Sequence, residues 1–282
     1  MTPFPKFADC APSTGLPVLV PGSGVELVES YLRGDRTALP TFNPTSPTTP
    51  TLSRTTLRHK QLESRTMAAT QVISENYHLA GARNALSKEA CMKLYDEWAA
   101  SYNNDLADAS QNYVAPILTA QTAIQFNTNP RATVLDAGCG TGLVGEALAK
   151  SNSMVIDGAD LSPPMLKIAK DTGVYRDTLL VDLTKAIDRP DESYDLITCC
   201  GTFTRGHVGP DPALREFIRL VKPGGVIVAT ILHEIWLSGG YKAEIDKIVS
   251  EGLAKVLSTD VKDYRKGAGD KATFLVLKKS SA

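Results

Sequence analysis

The run Val134-Leu135-Asp136-Ala137-Gly138-Cys139-Gly140-Thr141-Gly142 gathers residue types that can do chemistry at close quarters. An apolar stretch ends in a carboxylate, three glycines alternate behind it, and a helical pattern starts at Leu143. Glycine reaches backbone dihedrals closed to other residues and lets a ligand come close to the main chain. Amides at the start of a helix favour an anionic group. The order D-x-G-x-G-x-G differs from the dinucleotide pattern G-x-G-x-x-G, because Leu143 stands where the third glycine of that pattern falls.

Asp136 sharpens the distinction. A carboxylate beside a diphosphate costs about 4 kcal/mol for each like-charge pair at ~4 Å and an effective dielectric near 20. A ligand with an ammonium is favoured instead, and S-adenosylmethionine carries an amino-acid zwitterion and a sulfonium. Asp160 closes the next predicted strand, where an acid can accept both ribose hydroxyls. Asp182, in Leu180-Val181-Asp182-Leu183, follows the third strand and can accept the adenine amino group. Leu161 and Leu183, the neighbours of these two acids, are counted with them as cofactor contacts. Ligands on doubly wound sheets gather at the carboxyl ends of the strands, and all three acids fall there.

On the acceptor side, Cys200 to Pro210 leaves the fourth strand and is expected to wall the reaction site, with Gly201 and Thr202 meeting the cofactor through backbone. His207 is the candidate general base, since an unperturbed imidazole titrates near pH ~6.5. Its bland reading is a loop cap. His233 and Glu234 form a second candidate, with Trp236 and Tyr241 as walls or, as is commoner for aromatics, as core. The sulfonium is already an activated donor, so catalysis rests mainly on alignment and exclusion of water.

The elements that must hold these residues follow from periodicity. Ser87 can cap a helix that places Leu94, Trp98 and Tyr102 on one face, and a second helix runs from about Val114 to Phe126. Strands are predicted at Thr133–Ala137, Met154–Ala159, Thr178–Val181, Tyr194–Cys199 and Val226–Ile231. Helices are predicted at Leu143–Lys150, Pro163–Asp171, Asp211–Val221 and Tyr241–Glu251. This alternation implies a parallel sheet covered on both faces. Two further strands, near Ala254–Val261 and Thr273–Lys278, have no helix between them and read as an antiparallel pair at one edge.

Residues 1–66 differ. Pro40, Pro44, Pro47 and Pro50 punctuate Ser and Thr without apolar periodicity, which predicts disorder apart from a short helix at Val25–Leu32. Arg54, Arg58, Lys60 and Arg65 raise a mitochondrial presequence, but Asp9, Glu26, Glu29 and Asp35 break its acid-poor pattern. Lys plus Arg (30) nearly balances Asp plus Glu (31), which argues against a nucleic-acid partner. No apolar run is long enough to cross a bilayer and no secretory signal is expected. The five cysteines include no C-x-x-C pair, so neither a disulfide framework nor a metal site is expected, and a cytoplasmic location fits.

Together these residues resemble the class I S-adenosylmethionine-dependent methyltransferases. Asp136-x-Gly138-x-Gly140-x-Gly142, Asp160 and Asp182 match that family's cofactor signatures. Tyr95-Asp96-Glu97-Trp98-Ala99-Ala100-Ser101-Tyr102, Gly201-Thr202-Phe203-Thr204-Arg205-Gly206-His207-Val208 and Pro223-Gly224-Gly225 look like its Williams–Beuren-region methyltransferase-like subgroup. The resemblance spans about Ser87 to Lys279. It implies an α/β fold with a Rossmann-like seven-stranded sheet of order 3-2-1-4-5-7-6, the last strand antiparallel. Helices are expected on both faces, with an N-terminal helical cap at about 87–128 over a core at about 131–282. It also implies that Tyr102 approaches the cofactor. Asn103-Asn104 departs from relatives that carry an acid after the tyrosine, so no role is carried over there.

Metal-dependent catechol methylation, adenine methylation and protein-arginine methylation need acids or prolines around the end of the fourth strand, which Cys199-Cys200-Gly201 lacks. The expected activity is methyl transfer from S-adenosylmethionine to a small-molecule acceptor, with specialised biosynthesis as its setting. The alternatives are a non-catalytic cofactor-binding subunit and a nicotinamide-dependent oxidoreductase. If residues 67–282 form the functional domain, a chain starting at Met67 will fold and bind S-adenosylhomocysteine with near-parental affinity, and protease will cut first within Thr41–Arg65. Aggregation of the short chain would place the boundary elsewhere.

Overall fold

The computed structural model describes residues 78–82, 87–150 and 154–281, all within the unit spanning Thr48–Ala282. The expected extension at 1–66, its short helix and the Met67 boundary lie outside the described residues.

After a helical stretch at 78–82, helix α1 (Lys88–Trp98) opens on Ser87, whose Oγ accepts the Ala90 amide at 3.2 Å. The sequence reading carried this helix on to Tyr102, but it stops at Trp98 and α2 (Tyr102–Ala107) starts anew. The reason is a buried acid. Asp105 accepts the Trp98 indole Nε1–H at 2.6 Å and the Ser101 hydroxyl at 2.8 Å, which pins α2 back against the end of α1. Trp98 and Tyr102 still meet, edge to face, with ring centroids 4.7 Å apart. Helix α3 (Ala115–Phe126) packs on the sheet, so only α1 and α2 of the expected cap stand over the site.

The sheet strands are β1 (Thr133–Ala137), β2 (Val155–Asp160), β3 (Tyr175–Leu180), β4 (Tyr194–Phe203), β5 (Val221–Leu232), β6 (Ala254–Arg265) and β7 (Asp270–Lys279). Helices α4 (Leu143–Ala149), α5 (Pro163–Asp171), α6 (Ala213–Leu220) and α7 (Tyr241–Ser250) connect them. Strand order is β3-β2-β1-β4-β5-β7-β6, with the first five parallel and β7 antiparallel to both of its neighbours. The fold class is therefore the expected one. The two last strands form the expected antiparallel pair at one edge, with β7 beside β5 and β6 outermost.

Alternate side chains serve two cores. Leu135 and Ala137 of β1 join Ile197 and Cys199 of β4 and Ile227, Ala229 and Ile231 of β5 on one face. Val134, Leu196, Val226, Val228 and Val276 pack on the other with Ala120 and Ala123 of α3. Burial on both faces explains why these strands read as near-continuous apolar runs. Strand β3 starts three residues earlier than predicted, because it is an edge strand whose polar Arg176 is held by Asp157 of β2 at 2.8 Å. Among the described residues no helix is long and apolar enough to cross a membrane.

Asp105 is the polar hinge of the cap. Asp105→Ala removes the acceptor of a buried indole N–H and should cost roughly 1–3 kcal/mol, the penalty of an unsatisfied buried donor. Urea unfolding of parent and variant measures this, and equal midpoints would show that the helix break is held by something else.

Candidate active site

The glycine turn is built from backbone bonds across two strands. The amides of Gly138 and Cys139 both donate to the Ala159 carbonyl, at 2.7 and 3.0 Å, which presses the turn onto the end of β2. Asp160 then takes the Gly140 amide on Oδ2 at 2.8 Å and the Ser162 amide on Oδ1 at 2.9 Å. Burial raises the Asp160 carboxyl from its ordinary value, and these amides act against that rise.

Over this turn opens a concave cleft. Gly138, Gly140, Asp160 and Leu161 line it near β1 and β2, and Asp182 and Leu183 line it beyond β3. Tyr102 of the cap, with Gly201 and His207 after the bend in β4, closes the opposite wall. These are the positions expected from the sequence, drawn from elements far apart in the chain.

The residues fit S-adenosylmethionine. At Gly140 (φ 53°) nothing lies within 4 Å of where a Cβ would stand, so the backbone is open to a ligand there. Asp160 keeps lone pairs toward the cleft for a ribose diol, since each oxygen takes one backbone amide. Asp182 is oriented by the Thr184 amide at 3.1 Å and hydroxyl at 2.6 Å, with Lys185 Nζ at 3.6 Å.

Two expected contacts are corrected. Asp136 does not reach the cleft: it is fully buried on the other face of β1, as strand alternation with Leu135 and Ala137 requires. Its carboxylate accepts the Tyr175 hydroxyl at 2.8 Å and the Thr198 hydroxyl at 2.9 Å. Burial pushes its carboxyl up to about 6, against those two hydrogen bonds. Gly142 is also outside the wall. Its φ of 101° and the Tyr175 ring, 3.0 Å from where a Cβ would stand, show a glycine kept for packing.

His207 sits half-buried in the loop after β4. Its Nδ1 lies 3.0 Å from the Arg205 carbonyl and 2.8 Å from Thr204 Oγ1. A carbonyl can only accept, so the bond to Arg205 places the proton on Nδ1 and the ring's acceptor lone pair on Nε2. Tyr95 Oη, 3.2 Å away, donates to Nε2. Burial lowers the His207 pKa, with the Arg205 carbonyl acting the other way, so the ring is neutral at pH 7. The second candidate base is not in the cleft: His233 Nδ1 faces Thr273 Oγ1 at 3.2 Å, and Glu234 pairs with Arg205 at 3.7 Å. Tyr241 is core, its hydroxyl donating to the Val208 carbonyl at 2.5 Å, and Trp236 packs on the same core.

Cys91, Met92 and Tyr95 of α1 also line the cleft and were not assigned a role from the sequence. Their signal was present as the i, i+4 pair Cys91 and Tyr95, one face round from the Leu94-Trp98 stripe. Burial raises the Cys91 thiol to about 11 and the Tyr95 phenol well above its ordinary range, so both stay protonated at neutral pH.

The different placements of two acids predict different phenotypes. Asp160→Ala should weaken S-adenosylhomocysteine binding by about 1.5–3 kcal/mol, as for a lost hydrogen bond to a charged group. Asp136→Ala should leave two hydroxyls without their acceptor and act on stability, by roughly 1–3 kcal/mol for each one buried. Calorimetry and urea unfolding separate the two effects. The reverse pattern would return Asp136 to the ligand.

The family described as "Methyltransferase domain" matches residues 134–225, from β1 through the turn into β5. Human methyltransferase-like protein 27 is 33% identical over 168 residues, which is 57% of this chain and 67% of that protein. A ubiquinone biosynthesis O-methyltransferase of Hydrogenovibrio crunogenus is 34% identical over 120 residues, 40% of this chain and 48% of that one. The chain thus spans about half the length of that bacterial relative. Among solved structures, the [4+2]-cyclase SpnF aligns with a TM-score of 0.53 and 18% identity over 70% of this chain and 97% of its own, a likeness of fold alone. The match to the human protein across two thirds of its length, with the methyltransferase family match over the glycine turn, places this chain in the class I S-adenosylmethionine-dependent methyltransferases.

Proposed function

We propose that the chain transfers a methyl group from S-adenosylmethionine to a small-molecule acceptor and that His207 is the general base. The observation that carries the reading is the position of His207. It is a neutral imidazole in the wall of the cofactor cleft, with its Nδ1 proton tied to the Arg205 carbonyl and its Nε2 lone pair turned toward Tyr95.

When bound, the cofactor supplies a methyl group activated on a sulfonium. The chain does the rest. Gly138 and Gly140 bring backbone close to the ligand, Asp160 meets the ribose and Asp182 the adenine, which fixes the donor's direction. Tyr102 and the loop through His207 close over the reacting end and exclude water. The proton that a neutral nucleophile must lose is taken up, in net, on Nε2 of His207, which Tyr95 Oη faces at 3.2 Å.

A small acceptor is in keeping with the biosynthetic step that names the Hydrogenovibrio relative. The free thiols Cys91, Cys139, Cys199 and Cys200 suit the reducing cytosol. The fold by itself does not specify methyl transfer, since one neighbour is titled a cyclase. A non-catalytic binding subunit would have no use for a base held in one tautomer.

The test is single-turnover methyl transfer to an acceptor picked from a metabolite extract by the mass gain of one methylene. His207→Ala should keep S-adenosylhomocysteine affinity and lose roughly 10²–10⁴-fold in rate, the contribution of a positioned base. The base acts when neutral, so the parent's rate falls as pH drops through the His207 pKa. Burial lowers that pKa, so the acid limb lies below the ordinary histidine range. Tyr95, Arg205 and the Glu234 paired with Arg205 are the groups that surround the ring, and none is a second base in the cleft. A variant that keeps both the parent's rate and its acid limb removes His207 from the mechanism.

A further inference from the structure

Beside the cofactor cleft lies a second, smaller cavity. Tyr95, Tyr102, Gly201 and His207 belong to the walls of both. The adenosine end of the cleft is marked by Asp160 and Asp182, so these four shared residues mark the opposite end, where the donor methyl would lie.

The rest of the second cavity has a definite chemistry. Trp98 stacks on His78 and Tyr95 and lies edge-on to Tyr102, and Tyr113 lies edge-on to Tyr264 with centroids 5.0 Å apart, so packed aromatic rings line two sides. Leu79, Leu106 and Leu232 fill in between them. Among the described residues no Asp or Glu lines this cavity, and its two arginines are already paired. Arg265 is buried against Asp270 and Gln111, and Arg205 lies 3.7 Å from Glu234. A cationic ligand would therefore lose its water without gaining a carboxylate, beside two guanidinium groups. A neutral planar ring loses little and gains aromatic contact on its faces and edges.

The polar end of such a ring would meet Tyr95. That phenol donates to His207 Nε2 and so presents its own lone pairs to the cavity. We propose that the second cavity is the acceptor site, that its ligand is a neutral aromatic compound of one or two rings bearing a hydroxyl, and that Tyr95 relays the hydroxyl proton to His207. This rests on the methyl-transfer reading above. In the step, an oxygen lone pair of the acceptor forms the O–CH₃ bond while the S–CH₃ bond breaks and leaves its electron pair on sulfur. The acceptor's proton passes to Tyr95 Oη, and the Tyr95 proton passes to His207 Nε2. The products are the methyl ether, S-adenosylhomocysteine and an imidazolium that returns its proton to water. Tyr95 is thus the group that touches the acceptor, and His207 stands behind it.

The probe is 2-naphthol, with 2-naphthyltrimethylammonium as the cation of similar shape. In calorimetry on the full chain saturated with S-adenosylhomocysteine, one 2-naphthol should bind per chain, and the cation at least tenfold more weakly. Leu79→Trp, which fills the cavity from its rim, should weaken 2-naphthol tenfold or more and change S-adenosylhomocysteine affinity less than twofold. Mass spectrometry should detect 2-methoxynaphthalene from 2-naphthol and S-adenosylmethionine. Tyr95→Phe should cut the single-turnover rate at saturating 2-naphthol at least tenfold, beyond any loss of 2-naphthol affinity. Equal or tighter binding of the cation, a Leu79→Trp chain that binds 2-naphthol like the parent, or bound 2-naphthol that is never methylated would overturn the proposal while leaving the cofactor reading intact. A parent chain that does not bind S-adenosylhomocysteine overturns the cofactor reading itself, and the acceptor site with it.

Discussion

Asp160 takes one backbone amide from each side of the cleft floor, Gly140 from the turn after β1 and Ser162 from the cap of α5. Ser162 passes the link onward, since its hydroxyl donates to Asp96 of α1 at 2.5 Å and its Oγ also accepts the Met165 amide. One buried carboxylate thereby ties together a strand end, the glycine turn, a helix start and the cap. Burial disfavours its charge, and the fixed amides compensate. A group held in this way cannot turn aside, so its remaining lone pairs face the cleft at a fixed angle. The same constraint that holds the turn in shape also fixes the carboxylate in the wall of the cleft.

Asp136 shows the other use of a buried acid. Only four peptide units separate it from Gly140, yet its carboxylate is spent on Tyr175 and Thr198, joining β1 to β3 and β4 beneath the turn. The glycine at 142 serves the same packing, because the Tyr175 ring fills the space a side chain would need. The motif is therefore half ligand cradle and half strand clamp. Its conformation is stabilised from below by hydroxyl-to-carboxylate bonds and from above by Asp160.

The cap brings the chemistry to this floor. Asp105 breaks the N-terminal helix in two, which swings Tyr102 round to the cleft while Tyr95 stays on α1 beside His207. The aromatic cluster of Tyr95, Trp98 and Tyr102 is thus a positioning device as well as a packing one. Tyr95 and Tyr102 belong to the walls of both the cleft and the second cavity, and so does His207.

Much of this was legible in local pattern. Alternating apolar strands and amphipathic helices follow from short-range periodicity, so the parallel core, its connecting helices and the strand ends bearing Asp160 and Asp182 could be read directly. The seven-strand order came instead from family resemblance, since pairing between distant strands leaves no local mark. The limits lie where a side chain's direction or partner comes from elsewhere in the fold. Position along the chain put Asp136 at the cofactor, and the pleat turned it to the opposite face. Helical spacing put Tyr102 on α1, and a buried carboxylate seven residues after Trp98 ended that helix first. His207 could be named as a base from its type and loop, but its tautomer depends on a neighbouring carbonyl and its partner is Tyr95, 112 positions away. The sequence by itself determined the elements and the residue types at their ends, because those depend on neighbours in the chain. Tertiary structure alone decided which carboxylates see the ligand and which ring meets the base, because burial and hydrogen-bond partnership are set by distant segments brought into contact.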